Sequence, residues 1–279
     1  MLPLACPVCH APLSQDDAGT RLACPAGHSF DRARQGYWNL LLAQRKRSRD
    51  PGDNNEMVQA RKRFLDAGHY QPIAAQVNRL LLEQLGDLPE PRILDLGCGE
   101  GYYTAQLEAA LNAAGQAPLL AGVDISKHAI KNACKRSSRI QWLVATGADL
   151  PLAEGALDAL TLMFSRVMPE PMARVLKPGG LLLVVWPGPE HLLELRQLIY
   201  AQVQRHESDP GSALAPFFSL EQQSTLSFEF QVDSRQAIAD LLTMTPHGQR
   251  IKAEKREAIL AREQLKCRAE LCLGLYRRR

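Results

Sequence analysis

A chain of 279 residues is longer than one small domain needs and leaves room for a core of ordinary size with one or two smaller modules. With 46% hydrophobic and 23% charged residues it has a globular make-up, and its longest apolar run, Leu181 to Trp186, is far too short to cross a bilayer. A net charge of +3 predicts no partner by itself, although residues 1–75 hold 10 Lys or Arg against 7 Asp or Glu while residues 76–190 hold 10 against 12.

The chain begins with two echoes, CPVCH at Cys6 to His10 and CPAGH at Cys24 to His28. Cys6 and Cys9 make a C-x2-C pair, Cys24 and His28 a C-x3-H pair, and zinc asks for four such soft or borderline ligands in a tetrahedron. His10 follows a ligand directly and is expected to point away from the metal. Gly19 reads as the turn of a hairpin between the pairs. With few large apolar residues, Leu13, Leu22 and Phe30 among them, a module spanning 1–36 needs Zn2+ for its stability. Seven cysteines, three of them within the first 24 residues, favour metal ligation in a reducing compartment over a disulfide framework. No basic stretch leads into an apolar one near the start, so the expected location is cytoplasmic.

Residues 37–88 read as a basic linker followed by helices. Arg45, Lys46, Arg47 and Arg49 cluster before an Asp-Pro-Gly turn. Asp53 with Glu56 predicts a capping box, and Met57, Ala60 and Phe64 share one face of the helix after it. Lys62 and Arg63 fall on its outer side. Gly68 ends that helix, and Pro72 opens another with Ile73, Val77 and Leu80 inward. Such cations form either a solvated face or a phosphate-binding track.

Residues 89–279 read as an α/β domain of Rossmann-like form, a mostly parallel sheet with helices on both faces. Its core spans 90–190 and an extension 191–279. A buried strand at Ile93 to Leu96 runs into Gly97, Gly99 and Gly101, then into a helix through Leu107 and Leu111. Glycines here let the backbone approach a ligand beside a helix N-terminus. Asp95 precedes the turn, and Asp124 ends a second strand where it can accept hydrogen bonds from ribose hydroxyls. Further strands are expected from Ile140, from Leu157 to Phe164, and over Leu181 to Trp186 after the Lys177 to Gly180 turn. The last ninety residues predict a helix, a strand (LSFEFQV), a second helix, and a final strand through Leu271, Leu273 and Leu275 closing the sheet edge; Cys267 and Cys272 read as packing thiols.

The strand, the D-x-G-x-G-x-G turn, the acid after the second strand, the LP turn at Leu150 and the KPGG turn resemble the class I S-adenosylmethionine-dependent methyltransferases. The resemblance implies that Asp95, Gly97 and Gly99 line the methionine part of S-adenosyl-L-methionine and that Asp124 holds its ribose. Asp149 is the partial counterpart of the acid that meets the adenine. Cys98, Glu100, Gly101, Tyr102, Ile125 and Leu150 complete the expected cofactor set.

A narrower resemblance takes in the flanks. The Cys/His pairs, KRSRDPGDNNEMVQARKRFLDAGHYQP, ILDLGCGEGYYT, GVDISKHAIKNACKR, ARVLKPGG and LLTMTP are similar to the bacterial 23S rRNA guanine-N1 methyltransferases of the RlmA type. This implies methyl transfer to a guanosine in the helix 35 hairpin of 23S rRNA, a zinc module ahead of the catalytic domain, and a homodimer. Arg45, Lys46, Arg47, Arg49, Lys62 and Arg63 would then follow RNA phosphates. The chain departs from the family at Ser165 and Arg166 after the fourth strand, and at His247 and Gln249 after MTP. The N1 proton must leave, and Asp149, Glu170 and His247 are the candidate acceptors, His247 having a capping role as its alternative. Tyr37, Trp38 and Phe164 are available to stack on a splayed base, though the first two also suit packing between module and core. Two other readings stay open: a small-molecule methyltransferase, from the core alone, and a zinc-containing RNA-binding protein without turnover, from the altered loops.

Overall fold

The computed structural model describes residues 1–279 apart from 47, 206–208 and 249–250, and the side chain of Arg45 is likewise outside the description. The first module is a three-stranded antiparallel sheet of β1 (Ser14–Gln15), β2 (Arg21–Ala23) and β3 (Ser29–Asp31). Gly19 turns the chain at φ 69°, and Asp16 accepts from the Thr20 and Arg21 amides to close that turn. The module has no core of its own. Leu2, Leu4, Leu13 and Leu22 share one apolar cluster with Leu94, Leu143 and Leu160 of the main sheet. Leu4 forms an antiparallel bridge to Leu152, flanked by Ala5 N–H to the Pro151 carbonyl and Ala153 N–H to the Pro3 carbonyl, each 3.1 Å.

β4 (Trp38–Asn39) then runs parallel to β7 (Gln141–Val144) and forms one edge of the main sheet. Tyr37 and Trp38, 2% and 3% exposed, are therefore packing residues and offer no stacking surface. Helix α1 (Asn55–Asp66) follows, buried along Val58, Ala60, Phe64 and Leu65. Its cap is Asn54, which accepts from Met57 N–H at 3.0 Å. The expected cap, Asp53, is instead engaged by Arg61. Helix α2 (Gln71–Leu85) has Pro72 in its first turn and buries Ile73, Val77 and Leu80, in line with its spacing.

The remaining elements alternate: β5 (Arg92–Leu96), α3 (Tyr102–Ala113), β6 (Leu119–Asp124), α4 (Lys127–Ala133), β7, β8 (Leu157–Met163), α5 (Pro169–Val175) and β9 (Leu176–Pro187). They lead into α6 (Leu193–Ile199), α7 (Gly211–Leu214), β10 (Phe218–Val232), α8 (Arg235–Met244), α9 (Ala253–Leu260) and β11 (Leu265–Arg278). The sheet order is β10-β11-β9-β8-β5-β6-β7-β4, parallel from β9 to β4 and antiparallel at the β9–β11 and β11–β10 pairings. Residues Lys177 to Gly180 lie inside β9, as an irregularity in its pairing with β8.

The last strand does not close the edge. β11 inserts between β9 and β10, and β10 takes the edge. The burial pattern explains the order: β11 buries Leu271, Leu273 and Leu275 on one face and Cys272 and Tyr276 on the other. β10 alternates inward Leu226, Phe228 and Phe230 with exposed Thr225, Ser227 and Glu229, a pattern suited to a one-sided edge strand. Cys267 and Cys272 are buried thiols, as read from their setting.

Candidate functional site

Two short turns of different length build the metal cluster. His10 N–H donates to the Cys6 carbonyl at 2.8 Å and Gly27 N–H to the Cys24 carbonyl at 3.0 Å. Both turns use a left-handed residue, His10 at φ 60° and Gly27 at φ 85°. The ligand atoms of Cys6, Cys9, Cys24 and His28 all lie within 4.8 Å of one another. Cys9 Sγ and Cys24 Sγ are 3.7 Å apart, and Cys24 Sγ lies 3.4 Å from His28 Nδ1. Bonds of about 2.3 Å to sulfur and about 2.0 Å to nitrogen give tetrahedral edges of roughly this length, so the donor set fits zinc. Desolvation opposes ionisation of Cys24, but hydrogen bonds from His28 and Cys9 outweigh it and bring the thiol to about 6, ready to ligate. His10 is left out of the cluster, and its Nδ1 lies 3.9 Å from Asp149 Oδ1.

A second site lies at the carboxyl ends of the parallel strands. Gly97, Gly99 and Gly101 take φ of 76°, 57° and 84°, which side chains rarely adopt. Gly97 also leaves no room, since a Cβ there would come 2.6 Å from Ser165 Oγ. Asp124 organises the turn: its Oδ2 accepts from Gly99 N–H at 2.9 Å and its Oδ1 from Ser126 N–H at 2.7 Å. Burial raises the Asp124 pKa all the same, against the pull of those amides. Asp95, just behind, accepts from Thr104 Oγ1 and from Thr161 Oγ1 at 3.0 Å, and burial pushes it up to about 6. Cys98 is raised far above the usual thiol range by burial and by Asp124, Asp95 and Glu100 around it, which marks a packing group and not a nucleophile.

These groups open onto a cavity of about 920 Å³. Asp95, Gly97, Cys98, Gly99, Glu100, Tyr102, Asp124 and Ile125 line it, as the sequence led us to expect. Gly101 does not; it gives space to Trp142, whose ring would meet a Cβ at 2.7 Å. Asp149 and Leu150 are also outside the wall, in the turn after β7. That turn closes through Asp149 N–H to the Thr146 carbonyl, with Asp149 on the side of His10 and Leu150 1% exposed. Of the candidate proton acceptors only His247 reaches the cavity, with Nδ1 3.0 Å from Tyr200 Oη. Glu170 is exposed in the first turn of α5, away from it. Ser165 is in the wall and Arg166 exposed, whereas Gln249 lies outside the described residues.

Several wall residues escape sequence reading. From α1 come Met57, Arg61 and Leu65, at helical spacing and therefore on one side; Arg61 bonds to Asp53 and to the Met244 carbonyl and sits 3.8 Å from the Cβ position of Gly99. Tyr70, Phe164 and His191 form an aromatic group elsewhere in the wall, and Trp186 also lines the cavity. Phe164, 41% exposed at φ 54°, lies 6.3 Å from the Tyr70 ring in a stacked arrangement and 6.2 Å from His191. The glycine end and this aromatic group belong to one space, large enough for two small ligands side by side.

The basic residues separate into held and open groups. Arg63 donates through Nε and Nη2 to Asp240, at 2.8 and 2.6 Å, and Lys62 pairs with Asp66. Lys46 and Arg49 are exposed. Arg47 and the side chain of Arg45 lie outside the described residues.

Residues 4–49 match the family model described as RlmA, N-terminal, a zinc ribbon, and residues 93–180 match a methyltransferase domain. The 23S rRNA (guanine(748)-N(1))-methyltransferase of Streptomyces fradiae is 36% identical over 247 residues, 87% of this chain and 84% of that protein. A Micromonospora griseorubida protein assigned to the 23S rRNA (guanine-N(1)-)-methyltransferases is 36% identical over 295 residues, 98% of this chain and 97% of its own. Among solved structures, the YcgJ protein of Bacillus subtilis superposes with a TM-score of 0.51 at 18% identity, over 74% of this chain and 99% of its own, a likeness of fold.

Proposed function

This chain belongs to the family of 23S rRNA guanine-N1 methyltransferases, and from that premise we propose that it methylates N1 of a guanosine in a hairpin of 23S rRNA, with S-adenosyl-L-methionine as donor and a structural Zn2+ in its ribbon. The observation that carries this reading is the single cavity joining the Asp95–Gly97–Gly99–Asp124 end to the aromatic end around Phe164. The bound cofactor supplies a methyl group already activated on a sulfonium. The protein's task is then to hold acceptor nitrogen and donor carbon in line and to exclude water.

Asp124, its orientation set by two backbone amides, is suited to a ribose. The open turn at Gly97 and Gly99 is suited to the backbone approach that the methionine part requires. Guanine N1 lies on the Watson–Crick edge and is hidden in a duplex, so the base has to come from a loop or be splayed out. Phe164 offers it a partly exposed ring, and Lys46 and Arg49 offer its phosphates cations. His247 is the one of the three candidate proton acceptors that faces the cavity, and Asp149, which does not line it, is kept as the adenine contact that the family resemblance implies. We assign the enzyme to the cytoplasm as a homodimer; no described helix is long and apolar enough to cross a membrane.

Methyl transfer from labelled cofactor to a panel of 23S rRNA hairpins, followed by mapping, tests the reading. The expected product is N1-methylguanosine at one loop position, with activity that weakens as salt rises. Labelling of a small metabolite, insensitive to salt, supports the small-molecule alternative. Cofactor binding with no transfer supports the inactive RNA-binding one.

A further inference from the structure

Among the described residues two arginines and no lysine stand in the cavity wall, Arg61 and Arg196, against the carboxyl groups of Asp53, Asp95, Glu100 and Asp124. That balance suits a cationic ligand, and the sulfonium and ammonium of S-adenosyl-L-methionine are cations. Its methionyl part also ends in a carboxylate, which acidic neighbours repel. That anion has few seats here.

The backbone of the glycine turn offers little. Gly97 and Cys98 N–H donate to the Val123 carbonyl at 2.8 and 3.1 Å, Gly101 N–H to the Cys98 carbonyl at 3.0 Å, and Gly99 N–H to Asp124. Arg196 is engaged as well, on the carbonyls of Pro189, His191 and Gln204. Arg61 is different: its guanidinium donates through Nη1 to Asp53 and through Nη2 to the Met244 carbonyl at 3.4 Å, which leaves N–H groups over. The side chain is 28% exposed, and Nη1 stands 3.8 Å from the position a Cβ would take on Gly99.

Arg61 is also held ready. α1 brings it to the cavity on the same side as Met57 and Leu65. Its partner Asp53 lies in a segment pinned to the end of β6, where Ser126 Oγ donates to the Asp53 carbonyl at 2.6 Å and a Cβ on Gly52 would come 2.9 Å from Ile125 and Ser126. A cation fixed in this way loses little freedom on meeting an anion. We propose that the Arg61 guanidinium receives the α-carboxylate of S-adenosyl-L-methionine, which makes Arg61 a cofactor-binding residue supplied by the helix before the methyltransferase core. The assignment rests on the cofactor reading above. It gives Asp53 the role of a buttress that holds the guanidinium beside Gly99, while Asp124 on the other side of that turn is left to the ribose.

Calorimetric titration of the zinc-loaded full chain compares S-adenosylhomocysteine with S-adenosyl-3-thiopropylamine, the same molecule without its carboxylate. The parent should bind the first roughly hundredfold more tightly, as a charge-assisted pair in a partly buried site would give. Arg61→Gln should weaken S-adenosylhomocysteine about a hundredfold and leave the thiopropylamine within about twofold of the parent, so that the preference disappears. Unchanged thiopropylamine binding also shows that the fold is intact. Arg61→Lys keeps the charge and the pairing with Asp53 but not the planar fork, and should retain about a tenfold preference; it decides the matter if the glutamine variant does not fold. A parent that binds both ligands equally overturns the assignment alone. So does a hundredfold preference that survives in Arg61→Gln or Arg61→Lys, since the carboxylate then belongs to the amides of Glu100 and the first turn of α3. Failure of the parent to bind S-adenosylhomocysteine at all overturns the cofactor reading and takes this assignment with it.

Discussion

Asp95 is a carboxyl group buried under the cofactor turn, with two threonine hydroxyls donating to it and a pKa raised by burial to about 6 from an ordinary 3.8. A raised carboxyl binds a proton in the folded state that the unfolded chain has already released. Its contribution is therefore full below the unfolded value and is lost as pH rises from about 4 through about 6, in all on the order of 3 kcal/mol. Glu100 and Asp124 are raised as well, by burial above all, and act in the same direction. Asp95→Asn, neutral throughout, should flatten part of that slope. Urea midpoints of the ligand-free protein at pH 4, 5, 6 and 7 measure it: the parent should lose stability toward pH 7 more steeply than the variant. Parallel curves would show that Asp95 is not held up by its burial. Cofactor affinity of the variant should fall, because the carboxylate that costs stability is the charge kept for a cationic ligand.

At the scale of elements, β6 and β7 are coupled through a glycine. A Cβ on Gly122 would come within 2.4 Å of the Trp142 ring and 2.9 Å of Cys98 Sγ. Trp142 is 1% exposed, with Nε1 donating to the Ser137 carbonyl at 2.8 Å, so it has little freedom to yield. Gly122→Ala should cost about 1–3 kcal/mol, read as a lower urea midpoint at unchanged slope, while a surface Gly→Ala at Gly86 should cost far less. Sequence alone showed the strands and the glycine turn because their patterns are local: apolar runs, a left-handed turn, an acid at a strand end. It did not show that Gly122 makes room for an indole twenty residues away, nor that β11 inserts inside the sheet. Both depend on which faces are covered after folding. Asp53 read as a cap for the same reason, since its partner Arg61 becomes visible only once α1 turns that side toward the cavity. Asp95, Gly97, Gly99 and Asp124 were legible as cavity-lining residues because their pattern is local to a strand end and the turn after it. Tyr70, Phe164 and His191 come together from three separated segments and carry no common motif.

Over the whole molecule, the ribbon and its flank are attached to β7 and the turn after it on two sides. The first residues run along β7 and the turn after it: Leu2 N–H donates to Gln141 Oε1 at 3.0 Å, Leu4 bridges Leu152, and Ala5 N–H donates to the Pro151 carbonyl. On the other flank β4 adds to β7, and Leu40 N–H reaches the Val144 carbonyl at 2.9 Å. The turn bearing Asp149 lies between these two attachments. The metal cluster fixes the ribbon's end of both, because a module with so few large apolar residues of its own has little else to order Cys6 through His28. Zinc removal should therefore loosen the Asp149 turn and weaken nucleotide binding, although no metal ligand lines the cavity. Calorimetric titration of S-adenosylhomocysteine into zinc-loaded and chelator-treated protein should show roughly tenfold weaker binding without metal, a coupling of about 1.4 kcal/mol, recovered when zinc is returned. Far-UV circular dichroism separates this from global unfolding, since the eight-stranded sheet keeps most of its strands without the ribbon. Equal affinities with and without zinc would mean that the ribbon is only carried by the sheet, and that its contact with the Asp149 turn transmits nothing.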